Sequence, residues 1–197
     1  DSVLELRRGF GPGMVTALAR FDGRPIGVIA NNPTHLAGAI DSDGADKATR
    51  FMQLCDAFDL PLLFLCDTPG IMVGPEAEKT ALVRHASRMF VTSASLSVPY
   101  FTIVLRKGYG LGAQAMAAGG FHEPVFTVSW PSGEFGGMGL EGAVRLGFRK
   151  ELEAIVRQAT RSPRVERLPP RRNPDEFKVR IRDIPARSVA YIRVARP

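Results

Sequence analysis

The chain has 197 residues, of which 45% are hydrophobic and 23% charged, a composition typical of one globular domain with a short extra segment. No apolar run is long enough to cross a membrane, and no charged and apolar signal sequence opens the chain, so we expect a cytoplasmic protein without a membrane partner. The net charge of +6 comes from the end of the chain: residues 149–197 contain 14 basic and 6 acidic residues, against 12 and 14 in residues 1–148.

The basic end of the chain admits two interpretations. A basic segment can contact nucleic acid, but this one contains only Phe177 and Tyr191 as aromatic residues, fewer than a single-strand binder uses for stacking. We therefore favour a solvated tail, and we do not expect a nucleic-acid partner. Residues 157–176 are rich in Arg and Pro and indicate a linker or disorder. The alternating pattern of residues 177–182 and 188–194 indicates a small hairpin.

Strands and helices alternate along the rest of the chain. Asp22-Gly23 lies between two apolar runs, 14–20 and 25–30, and predicts a β-hairpin. Apolar runs predict three further strands, at 62–66, 100–105 and 125–130. Apolar stripes predict helices at 45–58 (capped by Ser42 or Asp43), at 77–94, and from 136–142 to about 156. The alternation is typical of an α/β domain with a mostly parallel sheet, here residues 1–155, followed by a basic Arg/Pro-rich tail, residues 156–197.

A glycine-rich segment follows the predicted strand at 100–105. Gly108, Gly110 and Gly112 precede a helix of small residues, and alternate glycines let the backbone approach a ligand closely. Because the first N–H groups of a helix have no partner within it, the segment predicts a cradle for an anion or a developing oxyanion. Two alternatives stay open. Residues 108–113 match the dinucleotide pattern G-x-G-x-x-G/A, although no acid ends the next strand, and close helix–strand packing also requires glycine.

Few side chains outside this segment indicate chemistry. His35, in the polar loop 31–38, is a candidate for ligand contact, whereas His85 fits a partnered structural residue and His122 a loop residue. Asp67, at a strand end, could act as a general base or cap the turn that follows, and we favour the cap.

The cysteines and histidines predict neither a disulfide nor a metal site. Cys55 and Cys66 lie in apolar runs, as reduced core residues do, and no histidine or cysteine has a neighbour at metal-ligand spacing. No Ser/His/Asp or Cys/His set can be assembled either. The glycine segments therefore favour chemistry carried out by backbone dipoles and a reactive cofactor.

Several ordered motifs over about residues 1–153 resemble one family. They are FDGRPIGVIANNPTHLAG at 21–38, DKATRF at 46–51, CDAF at 55–58, DTPG at 67–70, LRKGYG at 105–110 and MGLEGAV at 138–144. Together they resemble the C-terminal domain of the carboxyltransferases of biotin-dependent acyl-CoA carboxylases, a group that includes the acetyl- and propionyl-CoA carboxylase β chains.

The resemblance implies a crotonase-like fold, a spiral of ββα units. It also implies transfer of CO2 from carboxybiotin, held on a carrier domain, to the α-carbon of an acyl-CoA, with backbone N–H groups holding the oxygen atoms that become negative. In the family an N-terminal domain binds the acyl-CoA and this C-terminal domain binds the biotin. The two meet across a subunit interface, usually in a hexamer.

The resemblance also assigns roles by position. It places the amides of Leu111 and Gly112 at the ureido oxygen, as the catalytic groups, where many relatives have Gly-Gly-Ala in place of residues 110–112. The remaining residues that it assigns to binding the cofactor are Gly108, Tyr109, Gly110, Gln114, Gly137, Met138 and Gly139. Gln114 stands where relatives tune their acyl-chain preference.

The implied partners are a biotin carboxylase, a biotin carboxyl carrier, the N-terminal carboxyltransferase domain and further copies of the chain. Two other functions stay open at this point. One is a decarboxylase of the same fold that runs the reaction backwards, and the other is a non-catalytic fragment that binds nucleic acid through its basic end.

Overall fold

A computed structural model of the chain describes residues 2–120 and 122–161, with side chains as far as residue 157. The chain divides into two compact units, Asp1–Gly139 and Leu140–Pro197. In the described part of both units, no helix combines the length and the apolar character that crossing a bilayer requires.

The first unit is built on a mixed seven-stranded sheet. Its strands are β1 (Val3–Leu6), β2 (Met14–Phe21), β3 (Arg24–Asn31), β4 (Leu62–Thr68), β5 (Tyr100–Tyr109), β6 (Phe126–Ser129) and β7 (Glu134–Gly136). They lie in the order β1-β2-β3-β4-β5-β6, and β7 also pairs with β5. The pairs β1–β2 and β2–β3 are antiparallel, whereas β3–β4, β4–β5, β5–β6 and β5–β7 are parallel. The predicted α/β class with a mostly parallel sheet is confirmed.

The predicted hairpin is present and joins β2 to β3. Asp22 and Gly23 form its two-residue turn, with φ angles of 50° and 78°. Positive φ at both central residues matches the right-handed twist of the flanking strands, and Asp-Gly is among the pairs that adopt it most readily.

Four α-helices belong to the described part of this unit: α1 (Ser42–Ala57), α2 (Pro75–Glu78), α3 (Leu82–Ser93) and α4 (Gly110–Ala115). The predicted cap of α1 at Ser42 or Asp43 is wrong. Asp41 caps the helix, and its Oδ1 accepts from the Gly44 N–H at 2.8 Å. The Ser42 hydroxyl is instead engaged by Thr80 Oγ1, 2.6 Å away.

The single helix predicted at 77–94 is also wrong, because the chain breaks between α2 and α3. Ala81 takes a left-handed conformation with φ of 54°. No residue of α2 is buried, whereas α3 buries Leu82, Ala86 and Met89. The apolar stripe that holds α3 against the core therefore begins only at Leu82, and residues before it gain nothing from continuing that helix.

The core lies between one face of the sheet and the helices α1 and α3. Its buried side chains include Ile29, Phe51, Met52, Leu62, Phe64 and Met89. Cys55 and Cys66 belong to the same cluster and are free thiols, as predicted. Burial raises the pKa of both thiols to about 12, so they stay protonated and unreactive at neutral pH.

The end of β5 differs from the prediction. The strand continues to Tyr109, so Gly108 is a strand residue, paired with Thr68 on one side and Phe135 on the other. The helix then begins directly at Gly110. The extension is supported by β7, a three-residue strand that the sequence did not predict.

The described part of the second unit, residues 140–161, contains two helices in place of the one predicted. These are α5 (Leu140–Gly147) and α6 (Arg149–Arg161), with ion pairs between Arg145 and Glu141 and between Arg149 and Glu153. Because α6 reaches residue 161, the predicted linker at 157–176 is wrong for its first five residues. The rest of that linker and the predicted hairpin at 177–182 and 188–194 lie outside the described residues.

Candidate functional site

The segments that follow β3, β4, β5 and β7 meet at one edge of the sheet. These strands are parallel, so their carboxyl ends point the same way. Ligand sites of α/β proteins are usually built at this edge. The glycine-rich segments 108–112 and 136–139 both lie at this edge.

Glycines bring the backbones of neighbouring segments into direct contact at this edge. A Cβ atom on Gly112 would lie 2.7 Å from the Cα of Gly70, and one on Gly110 would lie 2.8 Å from the carbonyl oxygen of Gly137. Gly38 meets the carbonyl oxygen of Asp67 in the same way. The packing explanation of the glycines thus holds at Gly110 and Gly112, because no side chain fits there without moving main chain.

The same segment presents two free main-chain donors. Leu111 and Gly112 lie in the first turn of α4, whose N–H groups have no acceptor within the helix. Neither N–H finds an acceptor elsewhere in the part of the chain that the structure describes. The Leu111 side chain is 62% exposed, so this turn borders solvent. Two adjacent free donors beside solvent can hold a ligand oxygen that carries negative charge.

Tyr109 ties the wall formed by residues 134–139 to this turn. Its hydroxyl donates to the carboxylate of Glu134, and its ring lies 3.5 Å from the position of a Cβ on Gly139. The hydrogen bond to Glu134, together with burial and the charge of that carboxylate, raises the pKa of Tyr109. Gly137 and Met138, which the resemblance also assigns to cofactor binding, are exposed in the same segment.

Gln114 is held within its own segment. Its side-chain Nε2 donates to the carbonyl oxygen of Gly119 at 2.7 Å, which fastens α4 to the turn after it. The structure therefore brings the predicted residues 108–112 together with 137–139, whereas the Gln114 carboxamide is already engaged by the backbone.

Asp67 does not cap the turn that follows it, and that interpretation is wrong. Thr68 forms the turn instead, with its Oγ1 accepting from the Gly70 N–H at 3.1 Å. The Asp67 side chain turns to β5 and binds Arg106 through Oδ1 to Nε (3.2 Å) and Oδ2 to Nη2 (3.0 Å), and it also accepts from the Lys107 N–H at 3.2 Å. Its oxygen atoms already accept three hydrogen bonds, and the residue is only 7% exposed, so the carboxylate is not placed to take a proton from a ligand as a general base.

Asn31 also belongs to this edge, next to Asp67, and the sequence analysis did not identify it as a site residue. Its Oδ1 accepts from the Asp67 N–H at 3.0 Å, and its buried Nδ2 has no acceptor among the described residues. Asn31 ends an apolar strand, and Arg106 interrupts another one just before the glycines. Those two interruptions are the sequence signals that could have identified the network.

The three histidines are engaged in structural contacts. His35 Nε2 lies 3.3 Å from Asp41 Oδ2, so the expected ligand candidate is paired with a helix cap. His85 Nδ1 lies 3.0 Å from Asp46 Oδ2, in a geometry that is not that of a hydrogen bond. His122 is a loop residue, as predicted, and binds the Ala94 carbonyl at 2.8 Å. Within the described residues, no three His, Cys, Asp or Glu side chains are placed to hold a metal ion.

Comparison with known proteins relates most of the chain to one family. The family model described as Carboxyl transferase domain matches residues 1–183. The methylmalonyl-CoA carboxyltransferase 12S subunit of Propionibacterium freudenreichii subsp. shermanii is 39% identical over 151 residues, which are 77% of this chain and 29% of that protein. The chain thus spans about 30% of the length of the curated relatives that it matches.

Solved structures give the same relationship. A single-chain, multi-domain long-chain acyl-CoA carboxylase matches with a TM-score of 0.73 and 57% identity, over 81% of this chain and 17% of that one. The hexameric transcarboxylase 12S, with methylmalonyl-CoA and methylmalonic acid bound, matches with a TM-score of 0.71 and 37% identity, over 80% of this chain and 31% of that one.

Proposed function

Because the chain belongs to the carboxyltransferase domain family of the biotin-dependent acyl-CoA carboxylases and has their crotonase-like fold, we propose that it forms the biotin side of a carboxyltransferase site. There CO2 would pass between carboxybiotin and the α-carbon of an acyl-CoA. The observation that carries the proposal is the pair of amides at Leu111 and Gly112 that have no acceptor among the described residues, at the sheet edge where the glycine segments meet.

The residues at this edge fit a cyclic urea. The ureido oxygen of biotin is a single acceptor, and the amides of Leu111 and Gly112 are two adjacent donors bordering solvent. Bound carboxybiotin would supply the CO2 group. The chain itself would contribute the two N–H bonds, which strengthen as negative charge grows on the oxygen. The backbone contacts of Gly110 and Gly112 would keep those donors in place beforehand.

The acyl-CoA side would come from outside these residues. The matched relatives are more than three times as long as the aligned part, and we propose that an N-terminal carboxyltransferase domain supplies the acyl-CoA site. Exposed apolar side chains of β6, of β7 and of the turn between them, among them Phe126, Trp130 and Phe135, support an interface with such a domain or with a further copy in a hexamer. A biotin carboxylase and a biotin carboxyl carrier complete the proposed set of partners, in the cytoplasm.

The comparisons favour a long-chain acyl-CoA as the proposed substrate. Identity to the long-chain acyl-CoA carboxylase is 57%, against 37% to the transcarboxylase 12S structure that holds methylmalonyl-CoA. We therefore propose a long-chain acyl-CoA as the first substrate to test, once an N-terminal domain is restored.

Substitution at residue 111 tests the cradle. Leu111→Pro deletes one donor in the first helical turn, where no bond within the helix is lost, and Leu111→Ala keeps the donor while removing the exposed side chain. In a ¹⁵N-labelled chain titrated with free biotin, we expect the Gly112 amide signal to shift in the wild type and in Leu111→Ala, and to respond much more weakly in Leu111→Pro. In the assembled enzyme the lost donor should lower kcat on the order of 100-fold or more. An equal biotin response in all three proteins would contradict the assignment.

A further inference from the structure

Strand β5 contains two more residues than its partner where it approaches the cradle. Cys66 pairs with Val104 and Thr68 pairs with Gly108, so Asp67 alone lies opposite three residues of β5. Such bulges redirect a strand and are common beside active sites. This bulge determines where β5 leaves the sheet, and α4 begins two residues after Gly108.

The carboxylate of Asp67 closes this bulge. It accepts the Arg106 Nε–H and Nη2–H and the Lys107 N–H, so it binds two of the three residues opposite it. Hydrogen bonds to a carboxylate are stronger than those between neutral groups, and the paired bonds to a guanidinium also fix its orientation. The extra residues of β5 are thereby held in one arrangement.

Asp67 is itself fixed to the neighbouring strand. Its N–H donates to Asn31 Oδ1 at 3.0 Å, and its carbonyl oxygen contacts Gly38. Three residues further on, Gly70 supports Gly112 from the other side through the backbone contact described above. The segment 67–70 therefore makes two contacts near the cradle. Asp67 binds the bulge of β5, which leads to α4, and Gly70 contacts Gly112 of the cradle itself.

We propose that Asp67 is a positioning residue: by holding the bulge in β5 closed, it sets where the amides of Leu111 and Gly112 lie. The role rests on the proposed function, in which those amides bind the ureido oxygen. Asp67 touches no ligand in this scheme and acts only through Arg106 and Lys107.

The test compares two carboxylates that each accept three hydrogen bonds. Asp67→Asn weakens the bonds to the bulge. Asp56→Asn is the matched control. Asp56 Oδ1 accepts from the Ser97 N–H, the Ser97 hydroxyl and the Val98 N–H, and these two residues lie just before the start of β5, far from the bulge. We measure the amide signals of Leu111 and Gly112 in the ¹⁵N-labelled full chain, without biotin and during titration with free biotin.

We expect Asp67→Asn to move both amide signals in the absence of biotin and to weaken biotin binding on the order of 10- to 100-fold, because misplaced donors lose much of their effect. Asp56→Asn should leave the signals and the affinity at their wild-type values, even where it lowers the melting temperature as much. Arg106→Lys keeps the charge but loses the two-pronged bond at a half-exposed side chain, so it should shift the same signals in a protein that still folds.

The outcomes separate the two proposals. If the wild type responds to biotin and both Asp67→Asn and Arg106→Lys respond as it does, the positioning role is overturned and the proposed function stands. If Asp67→Asn does not fold, Arg106→Lys decides, and a wild-type spectrum in that variant overturns the role. A wild-type chain whose two amides ignore saturating biotin overturns the proposed function, and the positioning role falls with it.

Discussion

The Cβ position of Gly112 lies 2.7 Å from the Cα of Gly70, closer than side-chain and backbone carbon atoms pack in proteins. The contact joins the segment after β4 to the first turn of α4, and it leaves no space for even a methyl group. It makes residue 112 sensitive to the smallest substitution.

Gly112→Ala should therefore destabilise the protein and disturb the cradle. We expect a loss of about 1–3 kcal/mol in the free energy of unfolding, because either Gly70 or α4 must move. Gly137→Ala is the control in the same site, since a Cβ there meets nothing within 4 Å and should change stability by less than about 0.5 kcal/mol. Urea unfolding of both variants measures the difference, and equal stabilities would contradict the contact.

Tyr109→Phe removes the hydroxyl that donates to Glu134 while keeping the ring against Gly139. The expected loss is about 1 kcal/mol at neutral pH, because Glu134 is exposed and water can replace the lost donor.

The contribution of the Tyr109 hydroxyl to stability should depend on pH in the alkaline range. The pKa of Tyr109 is raised in the folded protein by the Glu134 bond, so its stabilisation is complete below the ordinary value of 10.0 and is lost as pH rises through the higher folded value. The stability difference between wild type and Tyr109→Phe should thus be constant up to pH 9 and disappear in stronger alkali. A difference that grows with pH in unfolding curves would refute this explanation.

Asp56 should make stability depend on pH in the acid range. Burial alone would raise its pKa, but the bonds from Ser97 and Val98 together outweigh burial and bring the pKa below its ordinary value. The stabilisation is therefore present above the unfolded pKa of about 3.9 and is lost as pH falls through the lower folded value.

Asp56→Asn tests this dependence without changing the size of the side chain. The wild type should be more stable than the variant at pH 6, and the two should converge once the pH lies below the lowered folded pKa of Asp56. Thermal unfolding across that range is the measurement, and a gap that persists at the lowest pH would assign the effect to packing instead.

Lys47 carries an amine into the core side of α1, where only 1% of its surface is exposed. Burial lowers the pKa of Lys47, and the nearby charge of Glu5 offsets this only in part. The charged form is thus less favourable in the folded chain than in the unfolded chain. Lys47→Met, which keeps the length of the side chain, should be neutral or stabilise the protein by about 1 kcal/mol at pH 7.

The gain should shrink with rising pH. A lowered folded pKa makes the cost of the ammonium complete below that value and removes it above the unfolded pKa of about 10.4, where the amine is neutral in both states. Melting temperatures at pH 7 and pH 10 compare the two proteins. A loss above about 1 kcal/mol for Lys47→Met at pH 7 would show that pairing with Glu5 outweighs desolvation.

The features that could be predicted from the sequence are those with a local cause. Asp22-Gly23 specified its hairpin because both residues tolerate positive φ, and LLFLC at 62–66 specified a buried strand because of its continuous apolar run. The ordered motifs then identified the family, which no single glycine pattern could do.

The features that were missed depend on contacts between distant segments. β7 has only three residues and exists because it pairs with the end of β5, and the break at Ala81 reflects where the apolar face of α3 begins. Asp67 was assigned to its own turn because its partners Arg106 and Lys107 become neighbours only through a bulge 39 residues away along the chain. The biotin contacts of Leu111 and Gly112 stay a prediction.

The glycines at the sheet edge distinguish positions that should not tolerate substitution from neighbouring positions that should. A Cβ on Gly38, Gly110 or Gly112 would lie less than 3.0 Å from main chain, and Gly70, with a φ of 135°, provides the backbone that Gly112 contacts, so substitutions at these four positions should disturb the packing of this edge. Leu111 and Met138 project exposed side chains from the same edge. A library of variants intended to alter ligand preference should therefore vary residues 111 and 138 and keep the four glycines unchanged.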